Sequence, residues 1–130
     1  MVRVQVGEQK PGNYQAFLLS TLRILYFQNL YMDDQHFVYI IYSPSIDRYY
    51  IGQCKNLLHR LRQHNDLELN QNWTKRGIPW ELCLKIACIT QHQAMKLEHF
   101  IKKMKSRKFL QRLIIDKGLQ DSLKSRYKSG

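Results

Sequence analysis

The stretch FVYIIYSPSIDRYYIG, residues 37–52, decides the fold of this protein. The turn-forming sequence PSID separates two runs rich in aromatic and β-branched residues, HFVYIIYS at 36–43 and RYYIGQ at 48–53. Two such runs joined by a short turn predict an antiparallel β-hairpin. Gly52 lies near the end of the second run, where the backbone needs either freedom or close approach by another group. The hairpin also carries four tyrosines: Tyr39, Tyr42, Tyr49 and Tyr50.

The segments after the hairpin alternate between helix and strand patterns. KNLLHRLRQHN predicts a helix that buries Leu57, Leu58 and Leu61. Residues 66–79 predict a polar loop, and WELCLKIAC predicts a third strand. QAMKLEHFIKKMK predicts a second helix, which begins with a capping box at Thr90. Another short helix is expected around 107–115, so the predicted order is β-β-α-β-α-α.

The composition favours a partner with negative charge. The chain has 130 residues, which predicts one domain, and 21 Lys and Arg face 10 Asp and Glu. The formal net charge is +11 and the isoelectric point is near 9.8. Nucleic acid is the first candidate partner and an acidic membrane surface the second. A basic protein with well-hydrated lysines is the plainer alternative.

The cysteine count indicates a reducing compartment, and the apolar runs do not predict a membrane span. Three cysteines are too few for a disulfide framework, and the spacing of Cys83 and Cys88 predicts opposite faces of one strand. The longest apolar stretch, residues 16–31, is interrupted by polar side chains and is shorter than the ~18–20 residues of a membrane span. No signal-peptide pattern is present. A cytoplasmic location is therefore predicted.

Three regions are expected along the chain. Residues 1–31 form an N-terminal extension, either disordered or a mis-assigned start, with Met32 as the natural first residue. Residues 32–118 form the domain, and residues 119–130 a loosely ordered basic tail. Nine of the eleven net positive charges fall within residues 32–130.

Glu98 is the carboxylate that invites a chemical role. It lies in a predicted helix whose other charges are all positive: Lys96, Lys102, Lys103 and Lys105. A carboxylate in such a place can hold one divalent cation, because hard cations prefer oxygen ligands. An ordinary ion pair with Lys102, four residues on, is the alternative, and spacing alone favours it.

Arg60 and His64 are spaced i, i+4 on the first helix, on one polar stripe with Asn56. A guanidinium matches two phosphate oxygens at once, and a histidine with its ordinary pKa near ~6.5 suits a proton shuttle. A solvated arginine and a surface histidine are the alternatives. Tyr39 and Tyr50 are good strand formers but poor bases unless a cation or a histidine assists them.

The pattern as a whole resembles the GIY-YIG endonuclease family. VYI at 38–40 and YYIG at 49–52 are similar to the two halves of the family motif, with eleven residues from Tyr39 to Tyr50. Arg60 and Glu98 stand where the family carries an arginine on the next helix and a glutamate on a later one. TKRGIPWEL and IKKMKSRKF resemble short stand-alone bacterial members, relatives of the nuclease domain of the UvrC repair protein. The resemblance covers residues 36–115.

This resemblance implies metal-dependent phosphodiester hydrolysis, in DNA repair or recombination, on a small α+β domain with a three-stranded antiparallel sheet flanked by helices. Tyr39 would orient or deprotonate the attacking water, and Tyr50 would contact the phosphate or support that base. Arg60 would bind the scissile phosphate, and Glu98 would hold a single Mg²⁺ or Mn²⁺ ion. An auxiliary proton transfer is implied for His64. The other two hairpin tyrosines would serve packing or the DNA surface.

The chain departs from the family pattern at three positions. Phe37 replaces the first glycine of the motif, and Gln53 stands where some members have a lysine. Leu110 stands where a polar residue is expected after the glutamate. Ser106 or Lys108 could replace that polar residue.

Basic side chains near the predicted site are expected to follow DNA phosphates: Lys75, Arg76, Lys102, Lys105, Arg107 and Lys108. Trp73 either stacks on an exposed base or packs within its loop. No helix carries a base-reading pattern, so binding is expected to be structure-selective or weakly specific, with RNA left open. A catalytically silent nucleic-acid-binding module is the second hypothesis. A third is an adaptor that uses residues 16–31.

Overall fold

A computed structural model describes Arg23 and residues 35–128. Apart from Arg23, the predicted extension over residues 1–31 lies outside the described residues. The elements are strands β1 (His36–Ser43), β2 (Arg48–Cys54) and β3 (Glu81–Cys88), helices α1 (Leu57–Asn65), α2 (Gln91–Met104), α3 (Arg107–Ile115) and α4 (Lys117–Arg126), and a 3-10 helix (Trp73–Gly77). No helix in the described residues has the length and hydropathy to cross a membrane.

The three strands form one antiparallel sheet in the order β2-β1-β3. Tyr39 on the central strand pairs with Gly52 on β2 and with Lys85 on β3. The α+β fold with a small three-stranded sheet is therefore confirmed. The predicted order of elements is also confirmed up to α3.

The sheet separates two hydrophobic clusters. One face of β1, with Val38 and Ile40, packs against helices α2, α3 and α4. The other face, with Tyr39 and Ile41, packs against α1. The predicted buried face of α1 is confirmed, because Leu57, Leu58 and Leu61 are at most 8% exposed. Each such leucine stabilises the fold by ~1.5–3 kcal/mol, and together they hold α1 against the sheet face that carries Tyr39.

A bulge in β3 changes the direction of one cysteine. The register between β1 and β3 shifts between Ile40 and Ile41, which pair with Leu84 and Leu82. Cys83 is the extra residue, and it packs against the same cluster as Cys88. The prediction that the two cysteines lie on opposite faces is wrong, because a bulge breaks the two-residue alternation. All three cysteines are free thiols.

Helix α4 corrects the expectation of a loosely ordered tail for residues 119–126, while the last two residues of that tail, 129 and 130, lie outside the described residues. The Asp116 side chain caps α4 by accepting a hydrogen bond from the backbone N–H of Leu119, at 2.9 Å. Leu123 is 2% exposed in the larger cluster, and the Gln93 amide donates to the carbonyl of Lys124. One cap and one buried leucine thus hold a segment whose sequence is mostly polar.

Candidate active site

Tyr39 and His64 form a buried hydrogen-bonded pair on the α1 face of the sheet. The distance from Tyr39 Oη to His64 Nε2 is 2.9 Å, and the two residues are 1% and 5% exposed. His64 points inward because it lies on the same side of α1 as Leu57 and Leu61, which pack against β1. The alternative of a surface histidine is wrong.

Gly52 leaves the space that the Tyr39 ring occupies. A Cβ atom at Gly52 would lie 2.5 Å from the Oη atom of Tyr39 and 2.6 Å from its Cζ atom. These distances are well below van der Waals contact, so a side chain here would displace the phenol. Close approach, one of the two reasons expected for this glycine, is therefore the one that the structure supports.

Tyr50 lies next to this pair, and its ring joins several aromatic side chains. Its centroid is 4.8 Å from the ring of His64, 6.2 Å from Tyr39 and 6.1 Å from Trp73. The other two hairpin tyrosines, Tyr42 and Tyr49, contact each other with ring centroids 5.0 Å apart and ring planes tilted by 50°. The structure thus divides the four tyrosines into two pairs, and only one pair meets the histidine.

Burial sets the protonation of this pair. Burial, reinforced by neighbouring Tyr50, raises the pKa of Tyr39 far above its usual range, although Arg60 opposes the shift. Burial, followed by the charge of Arg60, lowers the pKa of His64 to about 4. Near neutral pH the site therefore holds a neutral phenol beside a neutral imidazole. Burial also raises the pKa of Cys54 to about 11, so its thiol stays protonated.

Arg60 lies one helical turn before His64 on α1 and places a positive charge beside this pair. Its charge acts on Tyr39, Cys54 and His64. Within residues 35–128 no carboxylate lies at ion-pair distance from its guanidinium. The Arg60 side chain is only partly buried. Its guanidinium can therefore receive an anion near Tyr39.

Glu98 forms the ion pair that the sequence offered as the alternative to a metal role, and the metal role stays a prediction. Its Oε2 atom lies 3.3 Å from Lys102 Nζ, which is the ordinary i, i+4 ion pair. Burial is the main cause of the raised pKa of Tyr39, and the Glu98 carboxylate adds to it, so the charge of Glu98 acts on this tyrosine. The Glu98 side chain is 20% exposed, so solvent and a ligand can reach it.

The donor set around Glu98 fits a metal ion that is completed by its substrate. Within the described residues, no three His, Cys, Asp or Glu side chains cluster to form a self-sufficient site. Mg²⁺ commonly takes only one or two protein carboxylates and fills its remaining positions with water and phosphate oxygens. A single carboxylate that is 20% exposed is compatible with that arrangement.

The comparison with protein families agrees with this geometry. Residues 35–111 match the family model of the GIY-YIG catalytic domain. The chain belongs to the GIY-YIG family. The matched range runs from β1 into α3 and contains all five predicted catalytic residues: Tyr39, Tyr50, Arg60, His64 and Glu98. No curated protein and no solved structure matches the chain.

Membership in the GIY-YIG family indicates a nuclease-type function and a nucleic-acid substrate. GIY-YIG nucleases generally use divalent metals, in agreement with the donor set at Glu98. The roles of the individual residues stay predictions.

Leu110 is apolar and buried, so it does not take the polar role expected after the glutamate, whereas Ser106 already serves as a helix cap. Leu110 is 8% exposed and belongs to the cluster beneath α2 and α3. The Oγ atom of Ser106 accepts a hydrogen bond from the backbone N–H of Phe109 and caps α3. Lys108 is exposed and stays a candidate.

The basic residues predicted to bind DNA are all exposed: Lys75, Arg76, Lys102, Lys105, Arg107 and Lys108. Arg107 is engaged within the protein, since its guanidinium bonds to the Asp47 carboxylate and lies 5.3 Å from the ring centroid of Tyr49. It ties the hairpin turn to α3. The DNA contacts of all six residues stay predictions.

Asn65 is a structural residue whose main contact the sequence did not indicate. Its side chain accepts a hydrogen bond from the backbone N–H of Trp80 at 2.6 Å and donates to the carbonyl of Trp80 at 3.0 Å. These bonds join the end of α1 to the start of β3, and so hold His64 in place. The partner lies fifteen residues away, and no local pattern reveals such a pair.

The stability of the protein is expected to fall in acid because of His64. The folded protein keeps this imidazole neutral down to a pKa of about 4, whereas the unfolded chain takes up the proton near ~6.5. The unfolded state therefore binds more protons in this interval, and lowering the pH from about 7 to about 4.5 should cost about 2–3 kcal/mol of unfolding free energy. Urea unfolding at both pH values measures this loss.

The matched variants for this experiment are His64→Gln and His59→Gln. His59 is exposed on the same helix, so its variant should keep the wild-type loss. His64→Gln should remove most of it. An unchanged loss in His64→Gln would mean that another group causes the acid sensitivity.

Proposed function

We propose that this protein is a divalent-metal-dependent endonuclease that hydrolyses phosphodiester bonds in DNA. The observation that carries the proposal is the buried Tyr39–His64 hydrogen bond beside the guanidinium of Arg60. A neutral phenol, a neutral proton acceptor and a cation on one sheet face are suited to activating water next to a phosphate.

The first step in this proposal is a proton transfer through Tyr39. With the imidazole proton on Nδ1, His64 Nε2 accepts a hydrogen bond from Tyr39 Oη. The phenol oxygen then accepts a proton from the attacking water as its own proton passes to Nε2, so the ring never needs to become a free phenolate. This route explains how a tyrosine whose pKa is raised by burial can act as a base.

The second step is displacement at phosphorus. The water oxygen bonds to phosphorus as the P–O bond to the leaving oxygen breaks, and the leaving oxygen takes up a proton from solvent. Arg60 binds the scissile phosphate and stabilises the added negative charge. Tyr50, whose ring centroid lies 4.8 Å from that of His64, contacts the same phosphate or supports the histidine. Glu98 would hold one Mg²⁺ or Mn²⁺ ion, which would supply Lewis-acid polarisation of the phosphate and neutralise charge on the leaving oxygen.

The substrate is proposed to be DNA bound through its backbone. The exposed basic residues at the 3-10 helix and at the α2–α3 junction support salt-dependent binding with weak sequence specificity. A role in DNA repair or recombination, and kinship with bacterial relatives of UvrC, are part of this proposal.

The test is cleavage of a labelled panel of duplex, single-stranded, flap and four-way-junction DNA, with one RNA strand. Each substrate is incubated with Mg²⁺, with Mn²⁺ and with EDTA. We expect internal cuts in at least one DNA substrate with either metal and none with EDTA. Salt-sensitive binding without cleavage under any of these conditions would contradict the nuclease proposal.

That contrary outcome would favour the second candidate, a catalytically silent module that binds nucleic acid. The burial of Leu110 in place of a polar residue supports this alternative, and so does the engagement of Glu98 by Lys102. A silent module would bind the panel equally well with metal or with EDTA.

A further inference from the structure

A cavity of about 560 Å³ lies between the hairpin turn and the 3-10 helix. Its lining residues are Ile46, Arg48, Trp73 and Arg76. The volume is within the ~300–1,000 Å³ of ordinary ligand sites. The sequence singled out Arg76 as a DNA-binding residue and offered base stacking for Trp73, whereas Ile46 and Arg48 had no predicted role, so the cavity adds two residues to the predicted site.

The 3-10 helix that forms one wall of this cavity is firmly held. The indole N–H of Trp80, which is fully buried, donates to the carbonyl of Thr74 at 2.7 Å. The Asn70 side chain donates to Thr74 Oγ1 at 2.9 Å. Gly77 packs directly on Trp80, since a Cβ at this position would lie 2.7 Å from Cε2 of the indole. Trp73 and Arg76 are thus displayed on a preorganised wall.

Trp73 presents an aromatic surface to this cavity. Its ring packs against Tyr50 and Trp80, each with centroids 6.1 Å away, yet 47% of the residue remains exposed. An exposed indole on a rigid support is a platform on which a nucleobase can stack. The ring of Tyr50 contacts Trp73 on one side and the Tyr39–His64 pair on the other, so this wall of the cavity lies next to that pair.

Two arginines accompany the indole. Arg48 begins β2 and Arg76 lies in the 3-10 helix, and both are exposed. Within the described residues, neither forms an ion pair with a carboxylate. Guanidinium groups beside an aromatic face combine the chemistry that binds a phosphate with the chemistry that binds a base. A single nucleotide has both parts.

We propose that this cavity binds one unpaired nucleotide of the DNA strand, adjacent to the phosphate at Arg60. The inference rests on the proposed function and specifies its substrate. The base stacks on Trp73, while Arg48 and Arg76 bind the flanking phosphates. A base inside a continuous duplex has both faces covered by its neighbours and cannot stack here, so the protein selects flaps, loops or single strands over intact duplex.

The test measures binding in EDTA, where no cleavage occurs, by fluorescence anisotropy. The labelled probes are an intact duplex, the same duplex with a short flap, and that flap with abasic nucleotides. Stacking of one base is worth ~1–3 kcal/mol, so wild type should bind the normal flap about 5- to 150-fold more tightly than the abasic flap. Trp73→Ala should lose this preference, and Trp73→Phe should keep part of it.

The arginines are tested with a matched charge control. Arg48→Ala and Arg76→Ala should weaken binding to the flap more than binding to the duplex. Arg112→Ala removes the same charge from α3, where the side chain is 70% exposed, and should leave the flap preference unchanged. Circular dichroism checks that each variant is folded.

The outcomes separate this inference from the nuclease proposal. Equal binding of normal and abasic flaps by wild type would overturn the nucleotide site, even if metal-dependent cleavage is observed. A flap preference that survives in folded Trp73→Ala would overturn it as well. A preference that Trp73→Ala abolishes would support the site, even if no substrate is ever cut.

Discussion

Glu98→Gln is expected to reduce metal-dependent DNA cleavage by about 1,000-fold or more while DNA binding in EDTA stays close to wild type. Glutamine keeps the size of the side chain but removes the charge that holds the cation. A metal ion at a transferring phosphate supplies several kcal/mol of charge stabilisation, and ~4 kcal/mol corresponds to about 1,000-fold in rate. Single-turnover cleavage with Mg²⁺, followed by titration with Mn²⁺, measures the loss.

The fold is not expected to suffer from this change. The ion pair that Glu98 forms with Lys102 is partly exposed, and such pairs are worth ~0.2–1 kcal/mol. Glu68→Gln is the matched control, because it makes the same replacement at an exposed position and should cleave like wild type.

Lys102→Ala separates the metal role of Glu98 from its ion pair. It leaves the carboxylate in place, so we expect at most a moderate decrease through weaker DNA binding. If Lys102→Ala and Glu98→Gln lost activity equally, the ion pair would be the important feature, and the metal role of Glu98 would be wrong.

Gly52→Ala is expected to reduce cleavage by about 100-fold or more and to destabilise the fold by about 1–3 kcal/mol. The added methyl group would occupy the place of the Tyr39 phenol, so the ring and its hydrogen bond to His64 must move. Overpacking in a buried site costs this much stability, and a displacement of ~1 Å at a reacting group can cost about 100-fold in rate. Urea unfolding and single-turnover cleavage give the two values.

Gly118→Ala is the matched control for this experiment. Gly118 lies in α4, where the nearest atom to an added Cβ is Asp116 Oδ1 at an ordinary 3.4 Å. Alanine should stabilise this helix by ~0.5–1 kcal/mol and leave cleavage unchanged. Tyr39→Phe provides the reference for losing the hydroxyl without crowding. A fully active Gly52→Ala protein would show that the position of the Tyr39 ring is not important.

Much of the fold could be predicted from short-range patterns. The runs around Tyr39 and Tyr50 have the aromatic and β-branched composition of strands, and the turn between them has turn-forming residues. Thr90 was expected to cap the second helix, and its hydroxyl accepts the backbone N–H of Gln93 at 3.1 Å. These features depend on neighbours within a few positions, so they can be read from the chain directly.

The candidate site was predicted by a combination of spacing and resemblance. No single residue among Tyr39, Arg60 and Glu98 was decisive, because each has a plain structural alternative at its own position. Their order and spacing matched the GIY-YIG pattern, and the family match over residues 35–111 confirms that membership. Composition alone would have stopped at a basic protein that binds nucleic acid.

The sequence by itself determined the strands, the first three helices, the family and the basic character of this protein. Only the tertiary structure decided that His64 is buried against Tyr39 and that a bulge redirects Cys83. It also decided that Trp73 lines a cavity and contacts the ring of Tyr50. It also decided that α4 forms around Leu123. The physical reason is common to all four: each depends on contacts or pairing between segments distant in the chain, whereas helix caps and strand alternation depend on residues only a few positions apart.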